Sequence, residues 1–402
     1  MSMLWRKLQP ISGDISAVGG RVHLPSLSSA NPDRAANKYV HVHAEVGKDG
    51  RMTEEVYEQL ADALNRLPNG FPRTPSKVEI LLLKKIFSPE EASVASQLCG
   101  DMEPLDVIAK RVGLSSEETA AKLTKMAKRG LVWLDSKSEK PQFRLAPFIV
   151  GIYESQLENM DHEHAHLFEK YMEDGGVAGI MKPQPAIHRV IPAQKAVKSE
   201  WILPYDDVRK VLLAAKRFRL RNCICRVQQD HIGRQCNFPL KMCLSFSSIE
   251  GSPHPNDISQ KGALDILDKA EEIGLVHTVS NVMKGFGYVC NCCGCCCAIL
   301  RGITKFGIEN SVARANYYAV IDPDSCLGCG TCIERCQVHA ISEQNGVAVV
   351  DRKRCIGCGL CATGCPNNVA KLERKPDDEI VDPPVDYTAW EHERVRNRGL
   401  IK

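Results

Sequence analysis

Two copies of one cysteine spacing, C-x2-C-x2-C-x3-C, constrain this chain more than any other pattern in its sequence. Thiols at such short, repeated intervals are typical metal ligands, and they tie each segment to a bound group. A proline, Pro366, follows the second copy, whereas Gln337 takes the corresponding place in the first. The two copies comprise Cys326, Cys329, Cys332, Cys336, Cys355, Cys358, Cys361 and Cys365.

This repeat resembles the bacterial-type ferredoxins that hold two [4Fe-4S] clusters. In that family three thiolates of each run bind one cluster, and the fourth crosses to the other. The resemblance implies one cluster on Cys326, Cys329, Cys332 and Cys365, and a second on Cys355, Cys358, Cys361 and Cys336. Glycines recur at 328, 330, 357 and 359, where they let backbone amides approach the cluster. We expect Gln337 to loosen one turn without removing a ligand.

The composition limits the class of protein and its compartment. A chain of 402 residues predicts several domains, and a net charge of +3 gives no global argument for a nucleic-acid or membrane partner. The 19 cysteines lie mostly in C-x-x-C and C-x-C runs, which predict metal binding in a reducing cytoplasm rather than disulfides. No export signal or membrane-spanning run is visible, so we predict a soluble, cytoplasmic protein.

Ten further cysteines precede the repeat and form two groups. The first group is Cys223, Cys225, Cys236 and Cys243, and the second is Cys290, Cys292, Cys293, Cys295, Cys296 and Cys297. Four thiolates suit either a [4Fe-4S] cluster or tetrahedral zinc, and the ligand count leaves both open. Ten thiols would fill two such centres with two left over. Neighbours in an extended run point to opposite faces, so we do not expect Cys292 and Cys293 to share one cubane. Two separate centres, spare thiols and redox-active thiols all stay open.

Two resemblances concern the middle of the chain and its overall plan. The Cys292-Cys293-Gly294 step is similar to the Cys-Cys-Gly element of heterodisulfide-reductase-type subunits, whose cysteine-rich loops hold iron-sulfur clusters. Together, residues 223–365 resemble multi-cluster ferredoxin-type proteins of anaerobes. Helices are predicted from Pro204 through Arg219 and from Ser259 to Ile273.

Residues 77–148 predict three helices followed by a hairpin, with caps at Ser88 and Ser115. This order resembles a winged helix-turn-helix with the third helix in the recognition position. Its basic side chains would then face DNA, but the helix lacks the Asn, Gln or early Arg that would read base edges, which favours a solvated helix face or a protein-docking surface. These side chains are Lys122, Lys125, Lys128 and Arg129.

Two smaller features have a chemical and a structural interpretation. His162-Glu163-His164-Ala165-His166 matches H-E-x-x-H, the zinc-hydrolase pattern, within a predicted helix from Ile152 to Glu173. Its polar surroundings favour surface histidines instead. Cys99 stands apart from the other cysteines and is predicted to be a packing residue.

We therefore predict an α+β, multidomain protein. The expected parts are an irregular N-terminal segment (1–50), a winged-helix-like domain (51–150), a helix and linker (151–200), a cysteine-rich metal- or cluster-binding domain (201–318), a ferredoxin-like dicluster domain (319–374) and a docking or disordered C-terminal tail (375–402).

The leading hypothesis is an iron-sulfur electron-transfer protein, or an electron-transfer subunit of an oxidoreductase, with redox proteins as donor and acceptor. The chain has no dinucleotide fingerprint and no P-loop, so hydride chemistry would fall to a partner. Two alternatives stay open. One is a redox-responsive regulator that binds DNA through the winged helix. The other is a reductase with a catalytic cluster in residues 223–297, where His277 and Asn281 are candidate substrate contacts. Catalysis by this chain and its oligomeric state are left undecided.

Overall fold

The structure is a computed structural model that describes residues 54–135, 138 and 140–401. The predicted irregular segment 1–50 lies outside the described residues. In the part of the chain that is described, no helix is both long and apolar enough to cross a membrane.

Five helices and a small antiparallel sheet form the N-terminal part of the described chain. The helices are α1 (Glu55–Arg66), α2 (Val78–Ile86), α3 (Pro89–Ser96), α4 (Leu105–Val112) and α5 (Ser116–Lys128). The sheet, ordered β1-β3-β2, contains β1 (Glu103–Pro104), β2 (Val132–Asp135) and β3 (Gln142–Leu145). The caps at Ser88 and Ser115 are confirmed, because each hydroxyl accepts the backbone N–H of the third helical residue in a complete capping box. That this part is a winged-helix domain stays a prediction.

The predicted single helix from Ile152 to Glu173 is wrong. The chain instead forms two separate α-helices there, α6 (Tyr153–Ser155) and α7 (His162–Tyr171), and a third, α8 (Val177–Met181), follows beyond Glu173. Met160 and Asp161 adopt extended backbone conformations, and the Asp161 carboxylate caps α7 by accepting the His164 N–H at 2.8 Å. A capping aspartate inside the polar run therefore begins a new helix.

A six-stranded antiparallel sheet with four helices carries the middle cysteines. Its strand order is β4-β8-β9-β6-β5-β7. The strands are β4 (His188–Ile191), β5 (Arg217–Asn222), β6 (Lys241–Ser247), β7 (Asp257–Ile258), β8 (Val276–Ser280) and β9 (Tyr288–Cys292). The helices are α9 (Val208–Ala214), α10 (Ile224–His231), α11 (Gln260–Ile273) and α12 (Ala298–Thr304). The sheet takes in β4 from the segment predicted as a linker.

One predicted helix in this part is confirmed and one is wrong. The helix predicted from Ser259 to Ile273 is present as α11. The Ser259 hydroxyl caps it, and Gly274 ends it with a left-handed φ of 88°. The helix predicted through Arg219 instead stops at Ala214, because the next residues pair with β6 as strand β5. Phe218 and Leu220 alternate with arginines, which is the period of a strand rather than of a helix.

Two antiparallel strand pairs and two short helices form the C-terminal cysteine repeat. β10 (Tyr317–Ile321) pairs with β13 (Ala370–Arg374), and β11 (Ile341–Gln344) pairs with β12 (Val347–Val350). The helices α13 (Thr331–Glu334) and α14 (Leu360–Gly364) each begin after a glycine of the repeat. The four recurring glycines all have positive φ, between 64° and 77°, which explains why this residue type occupies those positions.

Of the two alternatives predicted for the tail after residue 374, docking or disorder, disorder is wrong for the helix α15 (Tyr387–Asn397). Trp390 and Arg394 lie one turn apart on its buried face, 5% and 0% exposed. The Arg394 guanidinium donates to backbone carbonyls of two distant segments, at Pro68, Ile180, Pro183 and Pro185. The final helix therefore connects the N-terminal part to α8 and the segment that follows it.

Candidate metal centres

Four of the predicted ligands surround one cavity at the surface of the C-terminal part. We call Cys326, Cys329, Cys332 and Cys365 the outer set, since Cys329 is exposed to solvent. The last of these cysteines comes from the second copy of the repeat and the other three from the first. The Ala348 N–H lies 3.5 Å from the Cys326 sulfur, a backbone donor that favours a thiolate.

The remaining four cysteines of the repeat lie close to one another. This inner set consists of Cys336, Cys355, Cys358 and Cys361, whose thiols are close enough to interact electrostatically. The Cys336 sulfur accepts the Ala340 N–H at 3.1 Å. The structure thus brings the repeat's cysteines together in the two groups that the sequence resemblance implies.

The inner set is enclosed by the middle part of the protein. The Cys358 carbonyl accepts the Ala193 N–H at 2.8 Å, and a methyl group added to Gly359 would meet the Ala196 side chain. Arg335, beside Cys336, donates to the Leu360 carbonyl. The same guanidinium reaches the carbonyls at the end of α11, those of Glu271 and Glu272. The outer set therefore faces solvent, and the inner set faces the middle sheet.

The ten middle cysteines form two groups in the structure, and these differ from the two groups in the sequence. Cys236, Cys293, Cys295 and Cys296 form one group, the loop set, whose sulfur atoms all lie within 4.8 Å of one another. Cys236, which belongs to the first group in the sequence, therefore lies with three cysteines of the second group. Arg226 of α10 contacts Cys293 in this set and is itself 2% exposed.

The other six middle thiols form a chain of side-chain contacts, the six-thiol set. Along this chain Cys223 contacts Cys225, which reaches Cys297, then Cys292, Cys290 and finally Cys243. They come from the start of α10, from β6 and β9, and from the residue that precedes α12. Cys292 and Cys293 belong to different sets, as expected for neighbours in an extended run.

The two candidate substrate contacts, His277 and Asn281, are both buried in the protein. His277 lies on β8 and is 3% exposed. Its Nδ1 is 2.7 Å from the Asn291 side-chain oxygen, and its Nε2 is 3.5 Å from the Glu271 carboxylate. Asn281 is buried, and its backbone N–H donates to the Ile187 carbonyl. His277 therefore links α11 to β9.

The other sequence candidates do not assemble into a metal site. His162 and His166 are exposed, and Lys85 binds the Glu163 carboxylate at 2.5 Å. Within the described residues, the loop set is the group of metal-ligating side chains that meets in one place within 4.8 Å. Cys99 is half-buried, and burial raises the pKa of its thiol to about 11, which suits the predicted packing role.

The proposed recognition helix uses one of its basic residues internally. The Arg129 guanidinium, just after α5, donates to the Glu91 carboxylate and to the Ile86 carbonyl. Lys125 and Lys128 are exposed, and Lys122 is half-buried. Of the four basic side chains considered for DNA binding, Arg129 is therefore bound within the protein, and the three lysines are the ones left to contact a partner.

Two contacts were missed at the sequence level. The Gly294 N–H of the loop set donates to the Gln337 side-chain oxygen at 2.9 Å, and Arg335 reaches α11 as described above. The replacement of the motif's proline by Gln337 was the available signal for the first contact. Nothing in the spacing of residues marks the second.

Comparison with known proteins identifies the C-terminal part. Residues 319–372 match the family model described as a 4Fe-4S dicluster domain. No curated protein and no solved structure matches the chain. The domain carries two [4Fe-4S] clusters, and its eight thiols in two groups of four supply the ligands that two clusters need.

Proposed function

We propose that the protein transfers single electrons through the two [4Fe-4S] clusters of its dicluster domain. The outer set holds one cluster and the inner set holds the other. The observation that carries this proposal is the grouping of eight thiols into two sets of four in a segment that matches a dicluster domain. Each bound cluster takes up and releases one electron, and thiolate ligation with backbone donors sets its potential.

The different surroundings of the two sets give the transfer a direction. Leu327, between two cysteines of the outer set, is 75% exposed and offers an apolar contact to a redox protein. The inner set is enclosed by the middle sheet. Electrons therefore exchange with a partner at the outer set and with the interior of the protein at the inner set.

A potentiometric titration of the anaerobically purified full chain, followed by electron paramagnetic resonance, tests this function. We expect two one-electron couples of the [4Fe-4S] type. A protein loaded with iron and sulfide that shows no reducible centre would refute electron transfer by this domain.

The outer docking site has its own test. A reduced two-cluster ferredoxin serves as the one-electron donor, and the second-order rate of reduction is measured by stopped flow. Leu327→Glu should lower that rate by about tenfold, since a central apolar contact is replaced by a charge. The matched control is Val381→Glu, because Val381 is also exposed, at 72%, and lies outside the dicluster domain. Equal rates for both variants would place the docking site elsewhere.

A second candidate function is a reductase whose catalytic centre lies at the six-thiol set. The favouring observation is that six thiols in contact exceed the four that one cubane uses. In this case the set holds a further cluster or zinc, and electrons from the inner set reduce a bound substrate. The test is the reoxidation of reduced protein by small oxidised substrates, lost in Cys225→Ala while both dicluster signals persist. Reoxidation that is the same in the variant would exclude this site.

A further inference from the structure

The loop set is more compact than the sets that hold iron-sulfur clusters. Its four sulfur atoms lie within 4.8 Å of one another, and those of Cys295 and Cys296 are 3.7 Å apart. All eight thiols of the dicluster domain are among the described residues, and no three of them come together so closely. The dicluster domain is therefore an internal reference for the ligand spacing that a cluster requires.

This spacing distinguishes a single ion from a cluster. Four thiolates that share one tetrahedral zinc at a Zn–S distance of about 2.3 Å stand about 3.8 Å from each other. In a cubane each thiolate binds a different iron, so the thiolates stand farther apart. The 3.7 Å between Cys295 and Cys296 matches the single ion.

The surroundings of the loop set suit a closed structural site. Cys293 and Cys296 belong to a small apolar cluster with Met242, Ala270 and Leu275, separate from the main core. A zinc ion with four thiolates carries a net charge of −2, which the guanidinium of Arg226 against Cys293 partly offsets. Four protein sulfurs fill the coordination shell, as in structural rather than catalytic zinc sites.

The same loop is pressed against the dicluster domain. Gly294 donates its N–H to the Gln337 side chain at 2.9 Å, and a Cβ on Gly294 would lie 1.9 Å from the Gln337 carbonyl oxygen. Gln337 directly follows Cys336 of the inner set. A fixed loop at this place therefore fixes the segment that supplies one inner ligand.

We propose that the loop set binds one structural zinc ion, and that this ion holds the loop against Gln337 and the inner set. The site is distinct from the electron-carrying clusters. Whether the clusters accept electrons is measured separately, so a failure of this inference leaves the proposed function intact.

Metal analysis of the full chain, purified anaerobically, tests the identity of the ion. We expect about one zinc per chain in addition to the cluster iron. The double variant Cys236→Ala, Cys295→Ala should lose this zinc and keep its iron, whereas Cys99→Ala, which removes a thiol outside every set, should keep both. A loss of about four irons with unchanged zinc in the double variant would overturn the zinc assignment.

X-ray absorption at the zinc edge provides a second readout. Zinc in the wild-type chain should show four sulfur neighbours at about 2.3 Å. Nitrogen or oxygen neighbours in the first shell would mean that zinc lies elsewhere, and would overturn the assignment even if the stoichiometry were correct.

Hydrogen exchange tests the mechanical link. Removal of zinc through the double variant should speed exchange at the Gly294 amide and along residues 336–340, because the loop no longer holds them. Gln337→Ala should speed exchange at Gly294 while zinc is retained, and Gln344→Ala, at an exposed position of β11, should change neither. Unchanged exchange in the zinc-free protein would overturn the proposed clamp.

Discussion

A buried carboxylate, Glu169 of α7, binds side chains of the two helices that carry or follow middle cysteines, α10 and α12, and its removal should destabilise the protein strongly. Glu169 lies on α7 and is 4% exposed. It binds both terminal nitrogens of Arg301, which is also 4% exposed, as well as Lys305 at 2.9 Å and Gln229 at 2.9 Å. Arg301 lies on α12, the helix that follows Cys297 directly. The carboxylate therefore anchors the end of the cysteine-rich loop.

The magnitude follows from the burial of both partners. Glu169→Gln leaves the Arg301 guanidinium buried without its counter-charge, which costs about 3–5 kcal/mol of unfolding free energy. For a unit of 150–250 residues this corresponds to a fall of about 6–20 °C in midpoint temperature. The control is Glu173→Gln, since Glu173 also binds Lys305 but is 43% exposed, and an exposed pair contributes about 0–1 kcal/mol.

Urea denaturation of the anaerobic protein, followed by circular dichroism, measures this difference. Equal midpoints for the two glutamine variants would refute the argument that burial decides the strength of the pair.

The pH dependence of the free energy of unfolding gives a second check. Burial alone would raise the pKa of the Glu169 carboxyl, but Arg301 and Lys305 outweigh it and hold that pKa well below its usual value. The stabilisation is therefore present above the unfolded pKa of about 4.3 and is lost as the pH falls below it, so the gap between wild type and Glu169→Gln should narrow in acid.

Three further predictions concern the clusters, the final helix and the histidine motif. Cys365→Ala should remove the resonance signal of the outer cluster and leave the inner one, although Cys365 belongs to the second copy of the repeat; loss of the inner signal instead would reverse the pairing. Arg394→Ala leaves four carbonyls without their buried donor and should lower the free energy of unfolding, measured by urea denaturation, by about 3 kcal/mol or more. The control Arg396→Ala, at an exposed position, should lower it by about 0.5 kcal/mol or less. His166→Ala should leave the zinc content unchanged, because its side chain is exposed and outside the loop set; a stoichiometric zinc lost in this variant would restore the hydrolase hypothesis.

Sequence was sufficient where short-range chemistry decides the structure. The starts of α3 and α5 followed from serine caps, and the recurring glycines of the repeat were recognised as special backbone positions, where the structure has positive φ. The grouping of the eight repeat cysteines also followed, because a family spacing encodes the crossing of the fourth ligand. In each case the deciding atoms lie within a few residues or belong to a known motif.

The middle sets could not be derived in this way. Cys236 joins Cys293 rather than its sequence neighbours because the sheet returns β9 alongside β6, a pairing that local spacing does not contain. The first residues of the arginine-rich strand β5 were predicted as the end of a helix. The strand is stabilised by pairing with β6 on one side and β7 on the other, and the local sequence does not contain that pairing. Helix α15 was missed because its buried arginine satisfies carbonyls more than 200 residues away in the sequence.

The single departure from the cysteine repeat explains how the two halves of the dicluster domain differ. Both halves have the same ligand spacing and the same left-handed glycines, so a local argument makes them equivalent. Pro366 follows the fourth cysteine where the chain is exposed to solvent, and a proline there needs no hydrogen-bond partner. Gln337 occupies the equivalent place in the first copy, where the chain meets the loop set. Its side-chain oxygen accepts the Gly294 N–H, and a proline at this position would offer no such acceptor. The substitution therefore has a role in addition to the looser turn that its sequence context predicts. It supplies the polar contact that one half of a symmetric repeat needs when that half is buried against another part of the protein.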